Sequence, residues 1–488
     1  MSFRRLVMGV SLMAIFAMAV HVSADTDTWW HLRAGEWMVQ HRQLLTTDPF
    51  SLTRMGQAWI YPGWLAQIVL YAVYQGLGFA GLNLLTGGMV LLAFATLWPV
   101  LEAAPLVRGF VLVLGAAASG IFWSARPQIF TLALAGVFVA LLERLRRDEA
   151  KQWWWLPLLM VLWVNLHGGF AVGLMLIGVY VAGELLDIAL GPFRGQSWLK
   201  GWTDRRRVLV RLLLAGAASV VAVAVNPDGP RMLLYPFQTV AIGVLRQYIQ
   251  EWQSPNFHLL EMQPFLWMLL FTLVALALSK RSVHPTGLLA VSIFGFLAFE
   301  AARNIGIFAL VSVPVLARHG ESALQPVTDR LGGGKQVPER LARGVNLVLF
   351  CLVALGAMVR VASQLPLSVN LAGIERLEPV KAVDFIEAEQ PTGPLFNSYN
   401  WGGYVLWRLY PDYRSFVDGR TDLFDDQLLR AYLAAWQGGS DWQSLFRQWD
   451  IKLVLIEPQS PLATVLQAAG WVAIYQDPTA IVLVPAPG

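Results

Sequence analysis

Two carboxylates, Asp25 and Asp27, stand two residues apart directly after the first apolar run of the chain. In an extended segment the side chains at i and i+2 point to the same face, so both could meet one cation or one acceptor. The adjacent WWHLR adds aromatic rings, His31 and Arg33, which suit stacking on sugars and pairing with phosphate. The alternative interpretation is that the two aspartates only end a helix at the water interface.

Cationic residues recur at the ends of later apolar runs, with Arg126 in SARPQ and Arg303 in FEAARN. Arginine forks hold phosphate oxygens in two-point contacts, so the pair favours an anionic ligand. Snorkelling to lipid headgroups would explain either arginine alone. His167 in NLHGG precedes two glycines that allow close backbone approach to a ligand; a histidine that ends a helix at headgroup level is an equal alternative.

Polar side chains at span ends are costly in lipid and are therefore the default candidates for function. No H-E-x-x-H, G-x-S-x-G or C-x-x-C pattern and no phosphate-binding glycine loop occurs in the sequence. In the tail, Asp418 and Arg420 of VDGR are interpreted as a structural turn or ion pair. The candidate substrate-binding residues are His31, Arg33, Arg126, Gln128, Asn165, His167, Glu251, Arg303 and Asn304.

The elements that must position these residues are membrane spans. Of the 488 residues, 56% are hydrophobic and 14% charged, whereas soluble domains carry about 25% charged residues. The mean hydropathy is +0.53. Charges cluster between apolar stretches of roughly 15 to 22 residues, the length that crosses a hydrocarbon core of about 30 Å. The composition excludes an ordinary soluble protein.

The net charge of +4 does not indicate nucleic-acid binding, because the basic residues lie in short runs at span ends, where they set topology. The single cysteine, Cys351, lies inside an apolar run, so no disulfide framework is expected.

Residues 1–24 could form a cleavable signal ending at the small residues Ser23 and Ala24. Because many spans follow, an uncleaved first transmembrane helix is the preferred interpretation.

Apolar segments follow one another through the first three quarters of the chain. Lys and Arg near span ends are retained in the cytoplasm, which places the N-terminus inside and both the candidate residues and the tail outside. Such a topology needs an odd number of crossings, so one segment between 58 and 108 is expected to be re-entrant, split or mispaired. We predict 11 to 13 transmembrane helices from the first run and from segments at 61–76, 80–100, 107–124, 129–143, 154–166, 170–190, 208–225, 264–279, 285–299, 304–317 and 344–360.

From Glu378 the pattern changes to a helix-like stretch followed by the β-rich runs LFNSYN, RSFVDGR, IKLVLIEP, WVAIYQ and AIVLVPA. Amphipathic stretches such as DDQLLRAYLAAWQ separate these runs, and strands alternating with helices predict a small α/β domain. The predicted organisation is a transmembrane domain at 1–360 with a first external loop at 23–60, a linker at 361–377, and an extracytoplasmic α/β domain at 378–488.

A polar first loop with an Asp pair, about a dozen spans and an external α/β tail together resemble the GT-C superfamily of polyprenyl-phosphate-dependent glycosyltransferases. The superfamily includes protein O-mannosyltransferase-like and aminoarabinose-transferase-like branches, from which this chain departs in its short spacing between spans and in its tail. The segments DTDTWWHLRAGEW, RPQIFTLAL, WVNLHGGF, EWQSPNF and SYNWGGYVLWRLYPDYRSFVDGR also look like those of bacterial multi-spanning proteins related to the superfamily. The likeness spans most of the chain.

The resemblance implies sugar transfer from a polyprenyl-phosphate donor to a glycan, lipid or protein acceptor, at the external face of the bacterial inner membrane. Asp27, and after it Asp25, would act as general base on the acceptor hydroxyl or help hold a divalent metal, Mg²⁺ or Mn²⁺. Arg126, His167 and Arg303 would bind or position the donor phosphate, because cations stabilise charge that develops on the leaving phosphate.

A non-catalytic carrier is the main alternative, either a transporter or a flippase of a lipid-linked or small polar substrate. Transporters often contain inverted repeats and broken helices near mid-membrane, whereas this sequence shows no convincing repeat and gathers its polar residues at one face. A third interpretation is a membrane anchor that displays the tail, for which one or two spans would suffice. The sequence therefore favours an enzyme.

Overall fold

The computed structural model describes residues 1–22, 25–149, 151–331 and 338–486. Ser23 and Ala24, the small residues of the alternative cleavable signal, lie outside the described residues.

Helices dominate the apolar part of the chain, because a backbone in lipid must satisfy its own hydrogen bonds. In the described residues they are α1 Phe3–Ala19, α2 Thr28–His41, α3 Trp64–Ala95, α4 Pro105–Ala118, α5 Gln128–Arg146, α6 Trp155–Leu166, α7 Phe170–Leu190, α8 Trp198–Val223, α9 Tyr235–Ala241, α10 Gly243–Tyr248, α11 Gln263–Leu278, α12 Pro285–Glu300, α13 Ile305–Leu331 and α14 Glu339–Ala362.

Six helical runs within the described ranges are long and apolar enough to cross a membrane, and three shorter apolar helices accompany them. Helices α1 and α8 cover two further segments that the sequence predicts to be spans, and the number of crossings, 11 to 13, stays a prediction. The chain is a multi-pass helical membrane protein, as its composition predicted.

The segments predicted at 61–76 and 80–100 form one helical run, α3, which is broken at Gly78 (φ +59°, ψ −151°). A straight helix of its length would measure about 48 Å, well beyond a hydrocarbon core of about 30 Å. Before the break α3 packs on α2 at Gly35, and after it on α1 beside Gly87. The two predicted segments therefore belong to one helical run with a break at Gly78.

The tail forms a small four-stranded sheet with helices, as predicted. The strand order is β1-β2-β4-β3; β1 pairs parallel with β2, and the other two pairings are antiparallel. Alternate residues of β2 join two different hydrophobic clusters, so both faces of the sheet are covered. The elements are α15 Leu367–Ile374, α16 Val380–Glu389, β1 Leu395–Asn397, α17 Gly402–Leu409, α18 Asp426–Trp436, α19 Trp442–Gln448, β2 Leu453–Ile456, α20 Pro461–Ala468, β3 Val472–Gln476 and β4 Ile481–Val484.

The prediction of a strand at RSFVDGR is wrong. Only Ser415 pairs there, in a single bridge to Ser51 of the first loop. The segment instead lies against the first loop. The carbonyl oxygen of Ser415 accepts a hydrogen bond from Leu52 N (2.7 Å), and that of Phe416 accepts one from Thr53 Oγ1 (2.7 Å). The β-rich composition of the segment reflects burial against another part of the chain rather than membership of the sheet.

The first loop and the tail pack as one body at one end of the helices. Helix α17 lies against α2, and a Cβ at Gly403 would lie 2.6 Å from the carbonyl oxygen of Thr26. The glycine pair of NWGGY therefore permits close approach of two backbones. The domain boundaries at 360 and 378 stay predictions.

Basic connections gather at the opposite end of the helices. The carboxylate of Glu102 contacts Arg147 after α5 (3.1 Å), Arg281 before α12 (3.4 Å) and Arg318 in α13 (3.5 Å). These arginines come from runs that the sequence places in the cytoplasm. The helices thus separate a basic end from the end that carries the tail.

Candidate active site

A cavity of about 790 Å³ lies between the helix ends and the tail. Every second connection along the chain reaches it, as expected when helices alternate in direction. Its charged and imidazole lining from these connections consists of Asp25 and Asp27 after α1, His31 in α2, Arg126 before α5, His167 after α6, Glu251 before α11 and Arg303 before α13.

Asp25 and Asp27 are held in a turn rather than in the extended conformation that the sequence analysis assumed. The backbone N–H of Asp27 donates to Asp25 Oδ1 at 2.9 Å, a local bond that aspartate side chains readily form. Asp27 then immediately precedes α2. The extended geometry is wrong, yet both carboxylates still meet one cation.

That cation is Arg126. Its Nη2 lies 2.8 Å from Asp27 Oδ2, and its Nη1 lies 3.3 Å from Asp25 Oδ2 and 3.6 Å from Glu251 Oε2. The Arg126 side chain is only 19% exposed. One guanidinium therefore joins three carboxylates that come from two different connections.

Glu251 links this group to a second arginine. Its Oε1 lies 3.4 Å from Arg303 Nη1, and the Arg303 guanidinium lies 4.2 Å from the centre of the Trp252 ring. Stacking on an aromatic ring fixes the plane of a guanidinium. Among the described residues, Arg303 contacts one carboxylate, whereas Arg126 contacts three.

Burial raises the pKa of Asp27 to about 7. The Arg126 cation lowers this pKa, the Asp25 and Glu251 carboxylates raise it, and a hydrogen bond from Trp30 Nε1 to Asp27 Oδ1 (3.2 Å) lowers it. A carboxyl that titrates near neutral pH is suited to accept a proton during a reaction.

The two histidines of the cavity are neutral. Burial lowers the pKa of His31 well below its usual value, and the Arg126 charge lowers it further. Burial, followed by Arg303 and Arg126, lowers the pKa of His167 to about 3. Both rings therefore act as hydrogen-bonding groups rather than cations.

The tail supplies a wall of the cavity that the sequence analysis missed. Gly419 comes so close to Asp27 that a methyl group there would overlap its Oδ1. Tyr399 OH and Thr421 Oγ1 are 2.7 Å apart, and Asp422, whose pKa burial raises to about 6, also lines the cavity. Tyr399 and Gly419 stand in SYNWGGY and VDGR, tail segments that carry the GT-C resemblance, and Thr421 and Asp422 directly follow VDGR.

Three predicted substrate-binding residues lie outside the cavity. Arg33 pairs with Glu36 and donates to the carbonyl oxygens of Leu406 and Trp407, which anchors α2 to α17. The other two donate hydrogen bonds to backbone carbonyl oxygens. Asn165 Nδ2 donates to Val161 and Val225, and Asn304 Nδ2 donates to Leu297. Gln128 lies in the cavity wall.

The charged group does not fit a divalent metal as it stands. Arg126 already occupies the point where Asp25, Asp27 and Glu251 converge. Within the described ranges, no set of three or more His, Cys, Asp or Glu side chains is arranged to hold a metal ion. The predicted role of Asp25 and Asp27 as Mg²⁺ or Mn²⁺ ligands would require the guanidinium to move away.

No protein-family model and no curated protein sequence matches the chain.

Solved structures match its fold. The Archaeoglobus fulgidus oligosaccharyltransferase AglB, in complex with an inhibitory peptide and a dolichol-phosphate, superposes with a TM-score of 0.56 at 10% identity, over 93% of this chain and 70% of that chain. The same organism's oligosaccharyltransferase tethered to an acceptor peptide with the NVT sequon gives 0.58 at 11% identity, over 100% and 74%.

ArnT from Cupriavidus metallidurans in the apo state gives a TM-score of 0.50 at 16% identity, over 99% of both chains. At these identities the likeness establishes the fold alone. The chain has the GT-C-like fold that the sequence resemblance implied.

Proposed function

We propose that this protein is a membrane glycosyltransferase that transfers a sugar from a polyprenyl-phosphate donor to an acceptor hydroxyl at the external membrane face. The observation that carries the proposal is the cavity between the helix ends and the tail, where a carboxyl poised near neutral pH lies beside two arginines. The GT-C-like fold supports the same function.

Asp27 is the proposed general base. Its carboxylate takes the proton of the acceptor hydroxyl as the oxygen attacks the anomeric carbon of the sugar. The bond from that carbon to the phosphate oxygen breaks, so the products are the glycosylated acceptor and the free polyprenyl phosphate. Trp30 and Arg126 hold the carboxylate at its two oxygens, which leaves its orientation little freedom.

Arg303 and His167 are the proposed contacts for the donor phosphate. Arg303 contacts one carboxylate through Nη1 and lies 4.2 Å from the centre of the Trp252 ring, so other N–H donors of its fork remain for an anion. Arg126, the other predicted phosphate contact, is held by three carboxylates. Its proposed role is therefore to set the charge state of Asp27.

The tail is proposed to bind the acceptor. The part of the cavity lining that the tail supplies carries aromatic side chains, Tyr399, Tyr432 and Trp436, together with the carboxylates of Asp422 and Glu457. Aromatic faces stack on sugar rings, and carboxylates accept hydrogen bonds from hydroxyls. Such a wall suits a polyhydroxylated acceptor better than a phosphorylated one.

The proposed orientation follows from the two ends of the helices. The connections around Glu102 carry the basic runs, and basic connections remain in the cytoplasm. The cavity and the tail would then face outward, in a bacterial inner membrane, with the N-terminus inside.

The test uses the purified full-length protein in detergent with a lipid extract of its own host as donor pool. Mass spectrometry should detect free polyprenyl phosphate and a glycosylated product. The variant Asp27→Asn should lower this transfer by about 10² to 10⁴-fold, the usual contribution of a general base. Asp412→Asn, which alters an exposed carboxylate of the tail, is the matched control and should transfer normally.

Detergent also separates transfer from transport, because no membrane remains to be crossed. A transporter or flippase would release no polyprenyl phosphate under these conditions. Full transfer by Asp27→Asn would remove Asp27 as the base, and absence of transfer by the unaltered protein would favour the carrier.

A further inference from the structure

The ring of His167 is held by hydrogen bonds that decide which of its nitrogens carries the proton. The backbone N–H of Gly169 lies 3.1 Å from Nδ1 and can only donate. Nδ1 must therefore offer its lone pair. In a neutral imidazole the proton then resides on Nε2.

A second contact to the same nitrogen agrees with this assignment. The Trp163 indole N–H, which can only donate, lies 2.8 Å from Thr131 Oγ1. The hydroxyl of Thr131 accepts that bond and is 2.8 Å from His167 Nδ1; because the Gly169 contact makes Nδ1 an acceptor, the hydroxyl proton points to the ring. Trp163 is fully buried, so water does not compete with Thr131 for its indole N–H.

Gly169 is part of the same arrangement. A Cβ at this position would lie 2.5 Å from Thr131 Oγ1 and 2.8 Å from His167 Nδ1. Gly169, the second glycine of NLHGG, is therefore needed for the contact between Thr131 and His167.

We propose that His167 is a fixed, neutral Nε2–H hydrogen-bond donor to the phosphate of the lipid-linked substrate, and that Thr131 and Trp163 are positioning residues that hold it in this state. The proposal rests on the proposed glycosyltransferase function for its ligand. His167 lines the cavity beside Arg126 and Arg303, and Nε2 is the nitrogen left to face a ligand. His167 then takes no proton during the reaction, which leaves that step to Asp27.

The tautomer can be read without any activity assay. In magic-angle spinning NMR of protein with ¹⁵N-labelled histidine, the His167 signals are those missing from the His167→Gln spectrum. We expect a protonated Nε2 and an unprotonated Nδ1 that persist from pH 5 to pH 8. A ring protonated at Nδ1, or one that titrates in this range, would overturn the assignment.

Ligand binding tests the donor role. Farnesyl phosphate serves as a probe for the lipid phosphate, with farnesol as the probe that lacks it. His167→Gln keeps an amide N–H donor and should bind farnesyl phosphate within about fivefold of the unaltered protein. His167→Phe should bind it at least tenfold more weakly, while farnesol binding stays the same. Equal loss in both variants would show that the donor N–H is not what the phosphate uses.

Thr131→Val tests the positioning role, because valine keeps the shape of threonine and removes its hydroxyl. We expect the His167 ¹⁵N signals to broaden or shift, with a severalfold rise in the KM for the lipid donor and little change in kcat. An unchanged spectrum would overturn the positioning role. If the spectra and farnesyl phosphate binding behave as expected but no sugar is transferred, only the proposed enzymatic function fails.

Discussion

Two clusters of arginine and carboxylate side chains lie near Gly419. They differ in how deeply the side chains are buried and in how closely the charges approach. Arg420 joins Asp418 and Asp48 with all three side chains fully buried, at 2.7 Å and 2.5 Å. Arg126 joins Asp25, Asp27 and Glu251, and these four side chains are 12% to 19% exposed. Two of the three contacts of Arg126 exceed 3 Å.

The pKa directions follow this difference. In the buried cluster, the Arg420 charge and hydrogen bonds from Ser51 and Phe50 outweigh burial and hold the pKa of Asp48 below its usual value. In the cavity, burial and two neighbouring carboxylates outweigh Arg126, so the pKa of Asp27 rises to about 7. A satisfied ion pair stabilises the docking of tail and first loop, whereas an incompletely satisfied one keeps a carboxyl available for a proton.

The largest expected effect comes from breaking the buried cluster. Arg420→Met should lower the free energy of unfolding by about 3 to 5 kcal/mol, because two buried carboxylates would be left without a counter-charge. Thermal unfolding in detergent measures this loss. Arg430→Met removes a half-exposed arginine that lies 3.8 Å from Asp426, and should change the unfolding temperature little. A stable Arg420→Met protein would show that tail docking does not depend on this ion pair.

The next effect concerns the point where the two clusters meet. Gly419→Ala places a methyl group against Asp27 Oδ1 and within 3.0 Å of Trp30 Nε1, and should displace the base. A misplacement near 1 Å costs about 100-fold in rate, so transfer should fall by about that factor while the protein remains folded. Gly178→Ala adds the same methyl where no atom lies within 4 Å, and should keep its activity. Normal transfer by Gly419→Ala would separate Asp27 from the chemistry.

The pH dependence of transfer tests the effect of the charges around Asp27. Asp27 accepts a proton only when it is ionised, so kcat/KM should rise with pH through about 7 and then level. Glu251→Gln removes a like charge that raises this pKa, and should move the rising limb to lower pH by roughly one unit. Glu389→Gln alters an exposed carboxylate of the tail and should leave the limb in place. A limb unaffected by Glu251→Gln would assign the titration to another group.

The sequence was sufficient for the architecture because the signals for it are local. Apolar length predicts spans, basic runs predict which ends share a side, and alternating strands and helices predict an α/β tail. The same topology rule placed Arg126, His167, Glu251 and Arg303 at one end of the helices, and all four line one cavity. The break at Gly78 could not be placed, because a glycine between two apolar runs also suits a loop.

The contribution of the tail could not be predicted, because it depends on docking between segments that are far apart in the chain. RSFVDGR has the composition of a strand, yet it is buried against the first loop and carries Gly419 to Asp27. Spacing also does not say which way a side chain points within one helix. His31 and Arg33 both follow the Asp pair, but only His31 faces the cavity.

That last contrast gives the smallest expected effect. Arg33→Gln removes hydrogen bonds to the carbonyl oxygens of Leu406 and Trp407, and should lower the free energy of unfolding by about 1 to 2 kcal/mol. Transfer per folded molecule, measured with the same lipid extract, should stay within twofold, because the guanidinium lies between α2 and α17 rather than in the cavity. A large fall in transfer with unchanged stability would mean that the substrate reaches Arg33, and that the charges which anchor the tail and those which serve the reaction are not separate.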